Sequence, residues 1–139
     1  MKSHLTNNFM FKNKKVIVVM PPYYAAKTLR KTYDEVMAQE IVDLIIVVDD
    51  KSQDETVSIA KALPDTLVYT HEKNMGYGGN QKTCYRLAIE AGGDIIIMVH
   101  PDYQYTPKLV PAMASMIGEE PLSYFFHVGT VKPFRVARA

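Results

Sequence analysis

A carboxylate and an amide two residues apart, Asp102 and Gln104, follow directly on the apolar run from Ile95 to Val99. In this way an α/β sheet presents ligands for metal and phosphate at its edge. In extended backbone, alternate side chains project to one side, so His100, Asp102 and Gln104 are expected to face a common point, where a hard divalent cation finds oxygen donors. The competing reading makes Asp102 and Gln104 turn residues beside Pro101.

Two further clusters have types that suit the same edge. Asp49 and Asp50 follow the run from Leu44 to Val48 and precede Ser52. One carboxylate can accept hydrogen bonds from a nucleobase or ribose while the other braces the loop; acids there also favour the positive end of a following helix. The stretch Asn74-Met75-Gly76-Tyr77-Gly78-Gly79-Asn80 opens the segment that carries Cys84. Its glycines let backbone amides approach a diphosphate, with Lys82 nearby, and its plainer reading is a flexible turn with Asn80 as helix cap. A dinucleotide fingerprint needs a glycine where Gln81 stands, and a Walker loop needs Gly-Lys followed by Ser or Thr, so both are excluded. His4, His71, His100 and His127 lack an i, i+4 pair or a cysteine partner, which argues against zinc. No Gly-x-Ser-x-Gly elbow is present for a serine hydrolase. Tyr23, Tyr24, Tyr77, Tyr103 and Tyr105 fall in loops near the same edge, either stacking on a base or packing as lids.

Holding these groups in place takes a sheet. The runs from Val16 to Met20, Leu44 to Val48 and Ile95 to Val99, with a shorter one from Thr66 to Thr70, are Val- and Ile-rich in the main, as strands buried on both faces of a parallel sheet are. Between them Leu29, Tyr33, Val36 and Met37 recur at helical spacing, as do Cys84, Leu87, Ala88 and Ala91. Ser52 with Glu55 has capping-box spacing for a middle helix ending near Pro64, and Gly92-Gly93 stops the next one. A last helix is expected after Thr106 as cap, with Pro107 in its first position and Leu109, Val110, Met113 and Ile117 inward. Such alternation predicts right-handed crossovers and an α/β fold, a doubly wound, mostly parallel, Rossmann-like sheet flanked by helices, with its ligand site outside the carboxyl ends of the strands. From Gly118 onward the pattern fails, and the segment accommodates a single strand. The expected organisation is a basic leader over 1–14, an α/β domain carrying the ligand site over 15–117, and an atypical or truncated segment over 118–139.

Composition narrows the function classes. Sixteen basic and fifteen acidic residues leave a formal charge of +1, which gives no whole-chain field for nucleic acid or an anionic membrane. With 47% hydrophobic residues the chain has ample material for a core. Cys84 is the only cysteine, so an intramolecular disulfide is excluded and a reducing cytoplasm is expected. No apolar run approaches the roughly 18 residues of a membrane span, and the first residues fail as a secretory signal.

Taken in order, Val16 to Met20 with Pro21-Pro22-Tyr23, then Ile46 to Thr56, then Asn74 to Asn80, then His100 to Gln104, resemble the family-two glycosyltransferases of GT-A fold, in particular the dolichyl-phosphate mannosyltransferase-like branch. The resemblance covers residues 14 to 117. It implies an inverting enzyme that transfers a sugar from a nucleoside-diphosphate donor, UDP- or GDP-linked, to an acceptor hydroxyl with Mg²⁺ or Mn²⁺. By that resemblance Pro21, Tyr23, Asp49 and Asp50 surround base and ribose, Gly76, Gly78, Gly79 and Lys82 serve the diphosphate, and His100 takes the place of the first acid of the Asp-x-Asp element. Asp102 and Gln104 become the metal ligands. The implied acceptor is a polyprenyl phosphate or a saccharide, and a homo-oligomer is compatible. Two departures stand out: Tyr24-Ala25 replaces the usual Asn-Glu or Asn-Ala, and the acceptor-binding half that supplies the catalytic base has no counterpart in 118–139. An alternative is therefore a non-catalytic nucleotide-binding or assembly module. A phospho-accepting receiver domain fits less well, since its acid pair would follow the first strand, where Met20-Pro21-Pro22 stands.

Overall fold

The computed structural model describes residues 11, 13–103 and 106–118, and the backbone of 123–127 and 130–136. Strand and helix alternate as the pattern predicts. The elements are β1 (Val16–Met20), α1 (Leu29–Met37), β2 (Leu44–Asp49), α2 (Thr56–Lys61), β3 (Thr66–Thr70), α3 (Gly76–Glu90), β4 (Ile95–Met98), α4 (Val110–Gly118), β5 (Ser123–His127) and β6 (Thr130–Val136). Among the described residues they form one sheet in the order β3-β2-β1-β4-β5-β6. Neighbours are parallel throughout except β5 and β6. The order turns back between β1 and β4, and at such a switch point the crossovers leave a crevice at the carboxyl ends.

Two-sided burial explains the continuous apolar strands. Val16, Val18, Met20, Ile45, Val47, Ile95 and Ile97 pack beneath α1, α2 and α4. Ile17, Val19, Ile46, Val48, Ile96 and Met98 pack beneath α3 through Cys84 and Ala88. Each fully buried aliphatic side chain contributes about 1.5 to 3 kcal/mol, so the central strands are the most strongly held part of the molecule. At the amino edge, opposite the crevice, carboxylates serve the fold. Asp43 accepts from the Val16 amide at 2.8 Å and Asp94 from the Lys15 amide at 2.9 Å.

Several expectations are corrected. The middle helix starts at Thr56, not Ser52, and the capping box does not form. Ser52 Oγ instead accepts from the Tyr24 amide at 2.9 Å, and Asp54 takes over the helix start, accepting from the Thr56 amide at 3.1 Å and the Thr56 hydroxyl at 2.5 Å. Those hydrogen bonds hold the Asp54 carboxyl below the usual range. Asn80 does not cap α3 but lies buried within it. Thr106 does cap, accepting from the Lys108 amide at 3.3 Å, yet Pro107–Leu109 form a 3₁₀ turn. Its tighter winding shifts the phase ahead of α4, leaving Leu109 47% exposed and Ala114 buried. Among the described residues beyond Gly118 there are two strands rather than one. Lys132-Pro133 reads as a break, but β6 is an edge strand, where a proline is tolerated. At the other end Phe11 packs on the core and its carbonyl accepts from the Lys14 amide at 2.8 Å; the rest of the expected leader up to residue 12 lies outside the described residues.

Candidate functional site

The carboxyl ends of β1 and β2 and the start of α3 enclose a cleft of about 290 Å³, lined by Pro21, Tyr23, Asp50, Asn74, Gly76, Tyr77 and Asn80. Pro21-Pro22 cannot continue a ladder, so the chain leaves β1 there. Tyr23 and Tyr24 stand half exposed, ring edge to ring face at 4.6 Å.

The two aspartates after β2 divide their work. Asp49 is fully buried, and its Oδ2 accepts from the Ser52 amide at 2.8 Å, fixing a reversal in which Lys51 has φ +66°. Its Oδ1 has no hydrogen-bond partner among the described residues. Asp50, 4% exposed, lines the cleft. Its Oδ1 accepts from the Met75 amide at 2.7 Å and faces His71 Nδ1 at 2.9 Å, while its backbone carbonyl accepts from Asn74 Nδ2 at 3.3 Å.

The glycine segment is a helix start, not a free loop. Asn74 Oδ1 accepts from the Gly76 amide at 2.9 Å, an Asx turn that places Gly76 at φ +75°, where a side chain is strained. At Gly79 a Cβ would lie 2.8 Å from Met75 Cβ, so only glycine lets the first turn close this tightly. Asn80 donates to the Val48 carbonyl at 2.9 Å, pinning α3 to β2 beside the cleft.

On the β4 side the expected extended backbone is not found. The strand ends at Met98, Pro101 and Asp102 form a turn, and Tyr103 has φ +66°, so alternate side chains no longer share one face. A proline amide donates nothing to a ladder, and the turn is held from α1: the Thr28 hydroxyl donates to the Pro101 carbonyl, the Tyr103 hydroxyl donates to Glu35 Oε1, and Lys31 Nζ lies 3.9 Å from the Tyr103 ring centre. Asp102 is exposed, and Gln104 lies outside the described residues. The His100 ring stacks on Tyr77 with centres 5.5 Å apart, its Nε2 3.1 Å from the Tyr77 hydroxyl. Burial, then the charge of Asp102, pushes the Tyr77 phenol above its ordinary value.

Among the described residues no group of three or more His, Cys, Asp or Glu side chains is placed to hold a metal ion. Mg²⁺ and Mn²⁺ are commonly held by one or two carboxylates together with substrate phosphates, so an exposed Asp102 fits a cation shared with a diphosphate rather than an all-protein cage.

Of the residues singled out from sequence, Pro21, Tyr23, Asp50 and Gly76 line the cleft. Asp49, Gly78, Gly79 and Lys82 do not; Lys82 is exposed on α3. His100 meets the cleft through Tyr77. Sequence reasoning missed the roles of His71, Asn74 and Asn80. Parallel register carries the signal for the first: Asp49 pairs with Thr70, which sets His71 beside Asp50. For Asn80 it is an amide on the buried stripe of a helix four residues before Cys84, a place that demands a partner.

The chain belongs to glycosyl transferase family 2, whose model matches residues 17–133. A UDP-N-acetylglucosamine–dolichyl-phosphate N-acetylglucosaminyltransferase of Methanococcus voltae is 28% identical over 111 residues, covering 68% of this chain and 44% of the relative. An uncharacterized glycosyltransferase of Rickettsia typhi is 30% identical over 95 residues, covering 68% of this chain and 29% of the relative. The chain thus spans less than half the length of these relatives. Among solved structures, glucosyl-3-phosphoglycerate synthase of Mycobacterium tuberculosis, in complex with Mn²⁺, UDP and glucosyl-3-phosphoglycerate, superposes with TM-score 0.60 at 24% identity, over 74% of this chain and 39% of that one. A second mycobacterial protein gives 0.65 at 22% identity, over 81% and 39%. The fold is the α/β sheet of these GT-A neighbours. No helix among the described residues is long and apolar enough to cross a membrane.

Proposed function

We propose that residues 15–117 form the donor-binding part of an inverting glycosyltransferase that moves a sugar from a UDP- or GDP-sugar to an acceptor hydroxyl. The observation that carries this reading is Asp50, a nearly buried carboxylate that lines the cleft beside the start of α3 in a family-two chain. A buried acceptor of this kind selects N–H and O–H donors of a base or ribose, since an unsatisfied partner would be penalised. Pro21 and Tyr23 bound the same space, with Asp49 bracing the Asp50 loop from behind. Gly76, whose amide is held by Asn74, sets the turn, and the amides of Gly78 and Gly79 open a helix whose positive end suits a diphosphate, with Lys82 as a cation on the same helix.

Asp102, together with Gln104, would hold Mg²⁺ or Mn²⁺, and the bound cation would neutralise charge gathering on the leaving diphosphate. The Mn²⁺ and UDP of the mycobacterial synthase support the use of a divalent cation with such a donor. Of the two acceptors expected, a polyprenyl phosphate or a saccharide, the first agrees with the dolichyl phosphate named for the Methanococcus voltae relative. His100 sits where a second acid would add charge, which leaves Asp102 with a single-carboxylate share of the cation.

Calorimetry with UDP- and GDP-sugars in the presence of Mn²⁺ tests the proposal. Wild type should bind one series, and Asp102→Ala should lose the Mn²⁺-dependent part of the affinity. Equal binding by both proteins would remove the cation role of Asp102.

A further inference from the structure

His71 lies outside the cleft lining and has no part in the reading above, yet its imidazole is engaged at both ring nitrogens. It is 8% exposed, one residue beyond β3, where its amide donates to the Asp49 carbonyl at 3.0 Å and so extends the parallel ladder by one step. Both ring nitrogens are engaged: Nδ1 with Asp50 Oδ1 at 2.9 Å, Nε2 with the Thr83 hydroxyl at 2.8 Å. The Thr83 hydroxyl also lies 3.2 Å from the Gly79 carbonyl.

The protons in this chain can be assigned by counting. Thr83 has one hydroxyl proton and two acceptors in reach. If it donates to Nε2, His71 is neutral with its proton on Nδ1. If it donates to Gly79, Nε2 must itself be a donor, and facing an ionised Asp50 carboxylate Nδ1 must then be a second one. Nδ1 carries a proton aimed at Asp50 in either case. Asp50 Oδ1 then receives two donors, Nδ1–H and the Met75 amide, and is saturated. No donor among the described residues reaches Oδ2, and Asp50 lines the cleft.

We infer that His71 is a positioning residue: it fixes Oδ1 of Asp50 against the fold so that Oδ2 faces the cleft as the acceptor for an N–H or O–H group of the nucleoside, and through Thr83 it ties that acceptor to the first turns of α3. The inference rests on the donor-binding reading for the identity of the ligand, but the proton assignment does not. Because the same ring touches Asp50 and, through Thr83, the helix start, it couples the base side of the cleft to the diphosphate side.

Two measurements on the chain test it. In the ligand-free protein, two-bond ¹H–¹⁵N correlation of the imidazoles, with the His71 ring assigned through correlations to its own backbone amide, should show Nδ1 protonated. A bare Nδ1 overturns the inference whatever the protein binds. Second, UDP and GDP are titrated into His71→Asn and His71→Gln. An asparagine amide can occupy the place of Nδ1 and keep the bond to Asp50, whereas a glutamine amide reaches the place of Nε2 and keeps only Thr83. His71→Asn should bind within about threefold of wild type and His71→Gln about tenfold more weakly, the loss of roughly one hydrogen bond to a charged group. Equal losses, or none, in two variants of equal thermal stability overturn the positioning role. Should both variants fail to fold, the nitrogen measurement on wild type still decides. A wild type with Nδ1 protonated that binds neither nucleotide overturns the donor reading, and with it the ligand assigned to Oδ2.

Discussion

At the ends of β2 and β3 the polar groups are interior: Asp50, His71 and Asn80 are each less than a tenth exposed, and each is bonded to a different strand or helix from its own. At the end of β4 the polar groups stand outward. Asp102 is exposed, Tyr77 facing it from α3 is 56% exposed, and the turn that carries Asp102 is tied back to α1 through Thr28 and Glu35. A carboxylate of the first kind is oriented before any ligand arrives, in surroundings where hydrogen bonds are stronger and an unpaired group is costly. One of the second kind stands at the solvent side, within reach of a cation that brings its own ligands. Folding and nucleotide recognition should therefore fail together on the β2–β3 side and separately on the β4 side.

The largest effect expected is from Asp50→Ala, which strands the His71 ring and the Met75 amide. It should destabilise the protein by about 3 kcal/mol in urea unfolding and abolish binding of UDP or GDP together. Next comes a contrast within one helix turn. Gly79→Ala drives a Cβ to 2.8 Å from Met75 Cβ and should lose about 2 kcal/mol, while Gly78→Ala, with nothing within 4 Å, should be neutral or gain up to about 1 kcal/mol. If the two glycines respond alike, α3 does not begin as described.

Smaller still is Tyr103→Phe, which removes the donor to Glu35 Oε1 where Oε2 already has no partner among the described residues. The melting temperature should fall by less than for Gly79→Ala, with nucleotide affinity kept in the absence of a divalent cation. Asp102→Ala should leave the unfolding midpoint unchanged, as exposed positions do. A large loss of stability there would erase the distinction between the two sides. Cys84 supplies a signal expected to be absent. Burial pushes its thiol up to about 12, above the value of an unfolded chain, so native protein should resist alkylation at neutral pH and react on unfolding. The sign follows: this contribution to stability is whole below about pH 8.5 and declines as pH rises above that.

Much of this was legible in the chain because it depends on local pattern. Continuous Val and Ile runs mean strands covered on both faces, Gly92-Gly93 marks a helix end, and Thr106-Pro107 marks a start; all three hold. Asp49-Asp50 after a buried strand pointed to the rim where the cleft lies, with Asp49 bracing the loop and Asp50 lining the space. Competition hid the rest. Ser52 has the spacing of a cap, but its hydroxyl is taken by the Tyr24 amide, 28 residues away in sequence, and a local motif carries no record of such a rival. Leu109 has the right period and the wrong phase, because a 3₁₀ turn of three residues intervenes. Extended backbone at His100 to Asp102 was a natural extrapolation from β4, and contacts from α1 bend it away.

By itself, then, the sequence determined the order of strands and helices, the two-sided burial of the sheet and the family, since each follows from residue type at short range. Tertiary structure alone decided that His71 stands behind Asp50, that Asn80 pins α3 to β2 and that Asp102 turns to solvent. Those contacts join residues 21 to 73 positions apart, and only the register of parallel strands and the seating of helices on them brings such pairs within a hydrogen bond.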